Sequence, residues 1–242
     1  MICFLTSRTD LPGHEELNPA NRFIEELRRV LPNPCCALNI CSDPDGWEKT
    51  DFYAALTRLY FENAGFRFAS FRVLDGRNAA RAEELVRDAD LIILGGGHVP
   101  TQNRFFEQIG LRALMKDYDG IVVGISAGSM NSADLVYAQP EEEGEAVDPS
   151  YQRFLTGLGL TKTMLLPHYQ EVKDDVLDGL RLFEDITYPD SLGRCFYAIP
   201  DGTYLFIENG REELRGEAWR IRDGVLTQIA ENGEIFPLSA LE

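Results

Sequence analysis

Residues 91–130 open with Leu91-Ile92-Ile93-Leu94-Gly95-Gly96-Gly97-His98 and close with Ile121-Val122-Val123-Gly124-Ile125-Ser126-Ala127-Gly128-Ser129-Met130. Each end is an apolar run that breaks into a glycine-rich turn, and Thr101 to Tyr118 between them reads as a helix. An unbroken apolar run of strand length suits a strand covered on both faces, because neither side meets water. The same alternation continues towards the N-terminus. Ile2 to Thr6, Cys35 to Cys41 and Phe66 to Leu74 read as strands. Leu17 to Leu31, with apolar residues at 23, 24, 27, 30 and 31, reads as a helix, as do Trp47 to Ala64 and Ala79 to Asp88. Gly65 is placed to cap the second of these helices. This βαβα order predicts an α/β fold: a doubly wound, mostly parallel sheet flanked by helices.

From about residue 194 the texture changes to short strands, Cys195 to Ile199, Thr203 to Ile207, Ala218 to Ile221 and Val225 to Ile229. Arg222-Asp223-Gly224 and Asn232-Gly233 read as hairpin turns. The prediction is one domain over residues 1–242, with a small antiparallel C-terminal extension over 194–242.

Composition narrows the function. The chain has 242 residues, 40 acidic against 23 basic side chains, and a formal net charge of -17. Nucleic-acid backbones and anionic membrane surfaces call for positive charge, so neither is an expected partner. No apolar stretch approaches the roughly 18 residues that span a bilayer. The opening Met-Ile-Cys-Phe-Leu-Thr-Ser lacks a basic leader, and its apolar run is too short for a signal peptide, so a cytoplasmic protein is expected. The five cysteines are odd in number and contain no C-x-x-C, which suggests neither a disulfide framework nor a zinc site. No metal or cofactor is expected.

Gly124-Ile125-Ser126-Ala127-Gly128 is a G-x-S-x-G between a buried strand and a helix-forming stretch, the pattern of a nucleophile elbow. The sharp turn leaves room only for small neighbours and lifts Ser126 above the sheet, where the Ala127 amide faces a developing oxyanion. Gly95-Gly96-Gly97 follows a neighbouring strand and should open at the same edge, with Gly96 or Gly97 as a second oxyanion donor. A phosphate loop is disfavoured, since neither G-x-G-x-x-G nor a Walker G-K-[ST] is present.

A serine needs a base to take its proton. Among three histidines, His14 reads as a solvated loop residue, His98 lies on the glycine loop as a candidate substrate contact, and His168 ends the strand-like run Met164 to His168. Position favours His168. The carboxylate that orients it is Asp201 in Ile199-Pro200-Asp201-Gly202-Thr203, with Asp134 and the run Glu141 to Glu145 as alternatives. Asp201-Gly202 is also an ordinary hairpin turn.

Taken together, G-G-G-x, then G-x-S-A-G, then P-H some forty residues on, then P-[DE]-G resemble the peptidase E group of serine peptidases. The resemblance covers roughly residues 50 to 210. It implies a class I glutamine amidotransferase-like fold and aspartyl dipeptidase activity, with more distant kinship to cyanophycinases. It implies Ser126 as nucleophile, His168 as base, Asp201 as the triad acid, and Gly97 with Ala127 as oxyanion donors. Some members carry an acid in the loop after the nucleophile helix, where this chain offers Glu141 to Glu143, with Glu141 and Glu143 as alternative acids. Three departures stand out. His98 replaces the usual asparagine after the glycines, Asp201 is shorter than the usual glutamate, and only Arg181 and Lys173 fall near the place of a basic specificity residue.

The sequence therefore predicts a cofactor-free serine hydrolase that cleaves small peptides, with N-terminal aspartate as the implied preference. A cyanophycinase-like or other amidase, an α/β-hydrolase with its acid among Asp134 to Asp148, and a non-catalytic ligand-binding member are the alternatives. The choice between monomer and homodimer stays open.

Overall fold

A computed structural model describes residues 1–241. Its strands are β1 (Ile2–Thr6), β2 (Cys35–Ile40), β3 (Phe68–Leu74), β4 (Leu91–Leu94), β5 (Ile121–Ile125), β6 (Leu135–Tyr137), β7 (Phe154–Thr156), β8 (Met164–Leu166), β9 (Val176–Leu177), β10 (Leu180–Arg181), β11 (Cys195–Ala198), β12 (Tyr204–Glu208), β13 (Arg211–Arg215), β14 (Ala218–Arg222), β15 (Val225–Ala230) and β16 (Ile235–Pro237). The helices are α1 (Phe23–Val30), α2 (Trp47–Asn63), α3 (Ala82–Arg87), α4 (Val99–Gln108), α5 (Leu111–Leu114), α6 (Ala127–Met130), α7 (Tyr169–Val172) and α8 (Tyr188–Asp190).

The main sheet has eight strands in the order β16-β13-β12-β1-β5-β4-β2-β3. The five from β1 to β3 are parallel, and β12, β13 and β16 extend the sheet antiparallel beyond β1. The parallel strands read as apolar runs because both faces are covered. Along β1, Cys3 and Leu5 enter the core on one face while Phe4 enters the core on the other; along β4, Ile92 and Leu94 divide in the same way from Leu91 and Ile93. Residues of α3, α4 and α5 cover the first face, and residues of α1 and α2 cover the second. No helix is long and apolar enough to cross a membrane, among the described residues.

The C-terminal strands do not form one appendage. A second sheet, ordered β15-β14-β11-β8, takes three of them, and the main sheet takes the other three. The chain crosses between the sheets three times in this region, from β11 to β12, from β13 to β14 and from β15 to β16. Arg222-Asp223-Gly224 does close a hairpin, between β14 and β15. Asn232-Gly233 does not, because β15 and β16 lie in different sheets. Local turn chemistry marks the reversal and is silent on which partner the next strand finds.

Helix boundaries also differ from the periodicity. The stretch 101–118 divides into α4 and α5 at Gly110, whose φ of 64° breaks the helix. Helix α1 begins only at Phe23, since Leu17 forms a β-bridge with Asp10 and Asn21 and Arg22 adopt left-handed dihedrals.

Phe4 anchors the covered face beside the site. It is fully buried, with the ring of Phe206 at 5.0 Å and those of Phe23 and Tyr204 at 5.8 Å. Phe4→Ala is expected to lower unfolding free energy by about 3–5 kcal/mol, read by urea denaturation. A loss under about 1 kcal/mol would mean that this cluster closes around the vacancy.

Candidate active site

Four loops meet at the carboxyl edge of the parallel strands. Thr6 of β1 pairs with Ile125 of β5, Leu94 of β4 pairs with Gly124, and Ile40 of β2 pairs with Leu94. The residues that follow, Ser7, Ser126, Gly95 and Cys41, therefore emerge side by side, where open α/β sheets place their ligands.

Ser126 sits at φ 50°, ψ -111°, a strained backbone for a residue with a Cβ. The strain is held by its surroundings. Its amide donates to the Thr6 carbonyl at 3.1 Å, and its carbonyl accepts from Ser129 and Met130 as α6 begins. The small flanking residues are required by space: a Cβ on Gly124 would press on Ser129, and one on Gly128 would collide with the Leu94 carbonyl. This is the elbow that the motif predicts.

His168 follows β8, and Asp201 lies in a turn after β11, closed by the Thr203 amide donating to the Pro200 carbonyl. Strands β8 and β11 are parallel neighbours, with Leu166 opposite Ala198, so their following loops lie together. The His168 Nδ1 is 2.8 Å from Asp201 Oδ1, and its Nε2 is 2.9 Å from Ser126 Oγ. A carboxylate only accepts, so Nδ1 carries the proton and Nε2 offers a lone pair to the serine hydroxyl. Burial pushes the Asp201 carboxyl up. The hydrogen bonds from His168 and Ser7, with the charges of His168 and Arg8, outweigh that and hold it below the usual carboxylate range.

The glycine loop closes the other side of the serine. A Cβ on Gly96 would lie 3.5 Å from the Ser126 Cβ, and Gly97 adopts φ 147° while packed on Ser42. Among the described residues, the amides of Gly96, Gly97 and Ala127 have no hydrogen-bond acceptor. His98 is committed elsewhere, with Nδ1 2.8 Å from Thr101 Oγ1 and Nε2 2.8 Å from Glu145 Oε1. This ties the glycine loop to the acidic run.

The cleft above these residues has a volume of about 750 Å³ and is walled on one side by Lys49, Tyr53 and Tyr60 of α2. A separate hollow of about 550 Å³ lies between α4–α5 and β7 and contains none of the residues above.

Other predicted candidates lie apart from this cluster. His14 is exposed. Asp134 pairs with Arg112. Glu141 approaches the Val99 amide at 3.4 Å, Glu143 is exposed, and neither contacts His168. Arg181 pairs with Asp185 on the surface, and Lys173 is exposed, so neither lines the cleft. The cations that do line it are Arg8 and Lys49. Sequence reasoning missed Ser7, Arg8 and Lys49. The polar run Ser7-Arg8-Thr9-Asp10 directly after a buried strand was the available signal for the first two.

A family model for peptidase family S51 matches residues 3–215. The chain belongs to peptidase family S51. It is thus a serine-type peptidase. Among solved structures, this S51 chain resembles a peptidase from an acI-B1 actinobacterium, with TM-score 0.65 at 18% identity over 98% of this chain and 96% of the other. It also resembles a protein of Listeria monocytogenes EGD-e described as a peptidase E, with TM-score 0.59 at 16% identity over 95% and 98%. At these identities the likeness is one of fold. No curated protein matches the sequence.

The lowered Asp201 carboxyl has a consequence for stability. A carboxyl that titrates lower when folded stabilises the fold above its unfolded value, about 4, and loses that contribution as pH falls through the folded value. The melting temperature of the wild type minus that of Asp201→Asn should therefore shrink between about pH 5 and about pH 2. A constant difference across that range would show that folding does not lower the titration of Asp201.

Proposed function

We propose that this S51 peptidase hydrolyses small peptides through an acyl-enzyme on Ser126, with His168 as general base and Asp201 as the acid that orients it. The observation that carries the reading is the unbroken chain from Ser126 Oγ to His168 Nε2 at 2.9 Å and from His168 Nδ1 to Asp201 Oδ1 at 2.8 Å. Both distances allow proton transfer without rearrangement.

The steps follow from these positions. As Ser126 Oγ attacks the peptide carbonyl, its proton passes to His168 Nε2. The imidazolium is stabilised by ionised Asp201, which keeps its own charge. The carbonyl oxygen becomes an oxyanion and accepts from the unpaired amides of Ala127 and Gly97, with Gly96 alongside; one such donor lowers the barrier by about 3–4 kcal/mol. His168 then protonates the leaving amine as the C–N bond breaks, so the C-terminal product departs and the N-terminal part stays as an ester on Ser126, until water repeats the sequence and releases it. His168 acts as base and then as acid in each half of the reaction, so no outside acid is needed.

A fluorophosphonate probe should phosphonylate wild type and spare Ser126→Ala, while circular dichroism of the two stays superimposable. Equal labelling of both would assign the nucleophile elsewhere.

The finer reading is a dipeptidase that prefers N-terminal aspartate, in a cytoplasmic setting that suits five free thiols. A molecule of charge -17 needs a local cation to hold an acidic substrate. Arg8 is flanked by Asp10 at 3.3 Å, Asp201 at 3.4 Å and Glu171 at 3.7 Å, so its charge is largely answered. Lys49 lines the cleft with no acidic partner within 4.0 Å among the described residues, which supports it as the group that receives a substrate carboxylate. Lys49→Met is expected to raise KM for Asp-X dipeptides about tenfold and to leave Ala-X dipeptides within about twofold. Equal effects on both would remove Lys49 from that role, and no turnover of either dipeptide beside turnover of an acidic polymer would favour the cyanophycinase-like alternative.

A further inference from the structure

We infer that Ser7 is a positioning residue for the acid–base pair, acting through Asp201 and the His168 backbone; this rests on the catalytic reading of Ser126, His168 and Asp201. Ser7 is fully buried, so water does not compete for its hydroxyl. That hydroxyl has one proton to give and lone pairs to offer. It donates to Asp201 Oδ1 at 2.6 Å and accepts the His168 main-chain N–H at 2.8 Å. One atom thus holds both the acid and the base.

Each of those bonds removes a specific freedom. Asp201 Oδ1 accepts from Ser7 and from His168 Nδ1 together, so the carboxylate plane is set before the imidazole uses it. The other supports of Asp201 hold it less directly. Gln170 takes its main-chain N–H at 3.0 Å, and Arg8 reaches Oδ2 only at 3.4 Å. Without Ser7 the carboxylate regains its broad χ2 rotation. His168, for its part, sits at φ 57°, a left-handed backbone that a residue with a Cβ keeps only under restraint. The Ser7 bond to its amide is one restraint, and the Glu171 and Val172 amides on its carbonyl are the others.

Ser7 is itself fixed by the sheet. It follows β1 directly, and its amide donates to the Thr203 carbonyl at 3.2 Å, just beyond the Asp201 turn. Its predecessor Thr6 accepts the Ser126 amide and the Ser129 hydroxyl through its carbonyl. The two residues register the nucleophile against the acid–base pair.

The test measures the rate of fluorophosphonate labelling of Ser126 in Ser7→Ala and in the volume-matched Ser7→Cys, alone and combined with Asp201→Ala. With the probe saturating, the maximal rate is expected to fall on the order of 100-fold in each single Ser7 variant, as for a misplaced catalytic group, with the half-saturating probe concentration within about twofold of wild type. In the Asp201→Ala background the further loss should be under about tenfold, because only the His168 amide is then left for Ser7 to hold. A maximal rate within about threefold of wild type in either folded single variant overturns the inference. So does an equal loss with and without Asp201, or failure of both single variants to fold, since Ser7 then serves the fold alone. If the wild type itself is not labelled, the nucleophile assignment falls and this inference with it; labelled wild type with undiminished Ser7 variants removes this inference only.

Discussion

The end of β1 is the constraint on which the site depends. β1 lies between parallel β5 and antiparallel β12, so the backbone at its carboxyl end faces the nucleophile elbow on one side and the turn that precedes β12 on the other. Thr6 and Ser7 use that place fully. The Thr6 carbonyl holds the Ser126 amide, the Ser7 amide holds the Thr203 carbonyl, and the Ser7 hydroxyl spans Asp201 and His168. Neighbouring strands are spaced by about 4.8 Å through their hydrogen bonds. Hanging the elbow and the acid-bearing turn on one strand therefore fixes their separation as firmly as the sheet itself.

The proposed triad is consequently a product of two sheets. The serine comes from the main sheet, while the histidine and the aspartate come from adjacent strands of the second sheet, β8 and β11. They meet where the chain crosses from β11 to β12. Residues 199–203 make that crossing, and Asp201 rides on it. An Asp-Gly turn that looks like a hairpin thus serves a different end, because its flanking strands pair with β8 and β14 on one side and with β1 and β13 on the other. The aspartate also reaches His168 with the shorter side chain, since the turn brings its backbone close and Gln170 takes its amide.

Charge divides along similar lines. The net -17 is a property of the whole surface, whereas the cleft carries Arg8 and Lys49 on its wall. Their pairing differs: Arg8 is enclosed by three acids, and Lys49 by none within ion-pair distance among the described residues. In the acidic run 141–145, conspicuous in the sequence, Glu145 reaches the His98 ring and Glu141 approaches the Val99 amide, while Glu143 stays exposed. Burial pushes the Glu145 carboxyl up, but the amides of Glu141 and Glu142 and the His98 ring together hold it low. His98, adjacent to the glycines, is thereby occupied as a tether between two loops.

The sequence by itself determined what short-range chemistry determines. Apolar runs at Leu91–Leu94 and Ile121–Val123 specify strands covered on both faces. Gly124 and Gly128 specify an elbow, because no larger residue fits the turn, and the serine and histidine follow from the strand ends that carry them. The local pattern put Asp201 ahead of Asp134 and the run 141–145 but left the choice open, since it is equally that of a turn, and the family resemblance added to it. Only the tertiary structure decided that β12 returns beside β1, that the C-terminal strands divide between two sheets, and that Ser7, Arg8 and Lys49 border the site. Those facts rest on pairings between distant residues, such as Cys3 with Ile207 and Ser7 with Asp201. Periodicity reports which face of a segment is buried; it carries no information about which distant segment buries it.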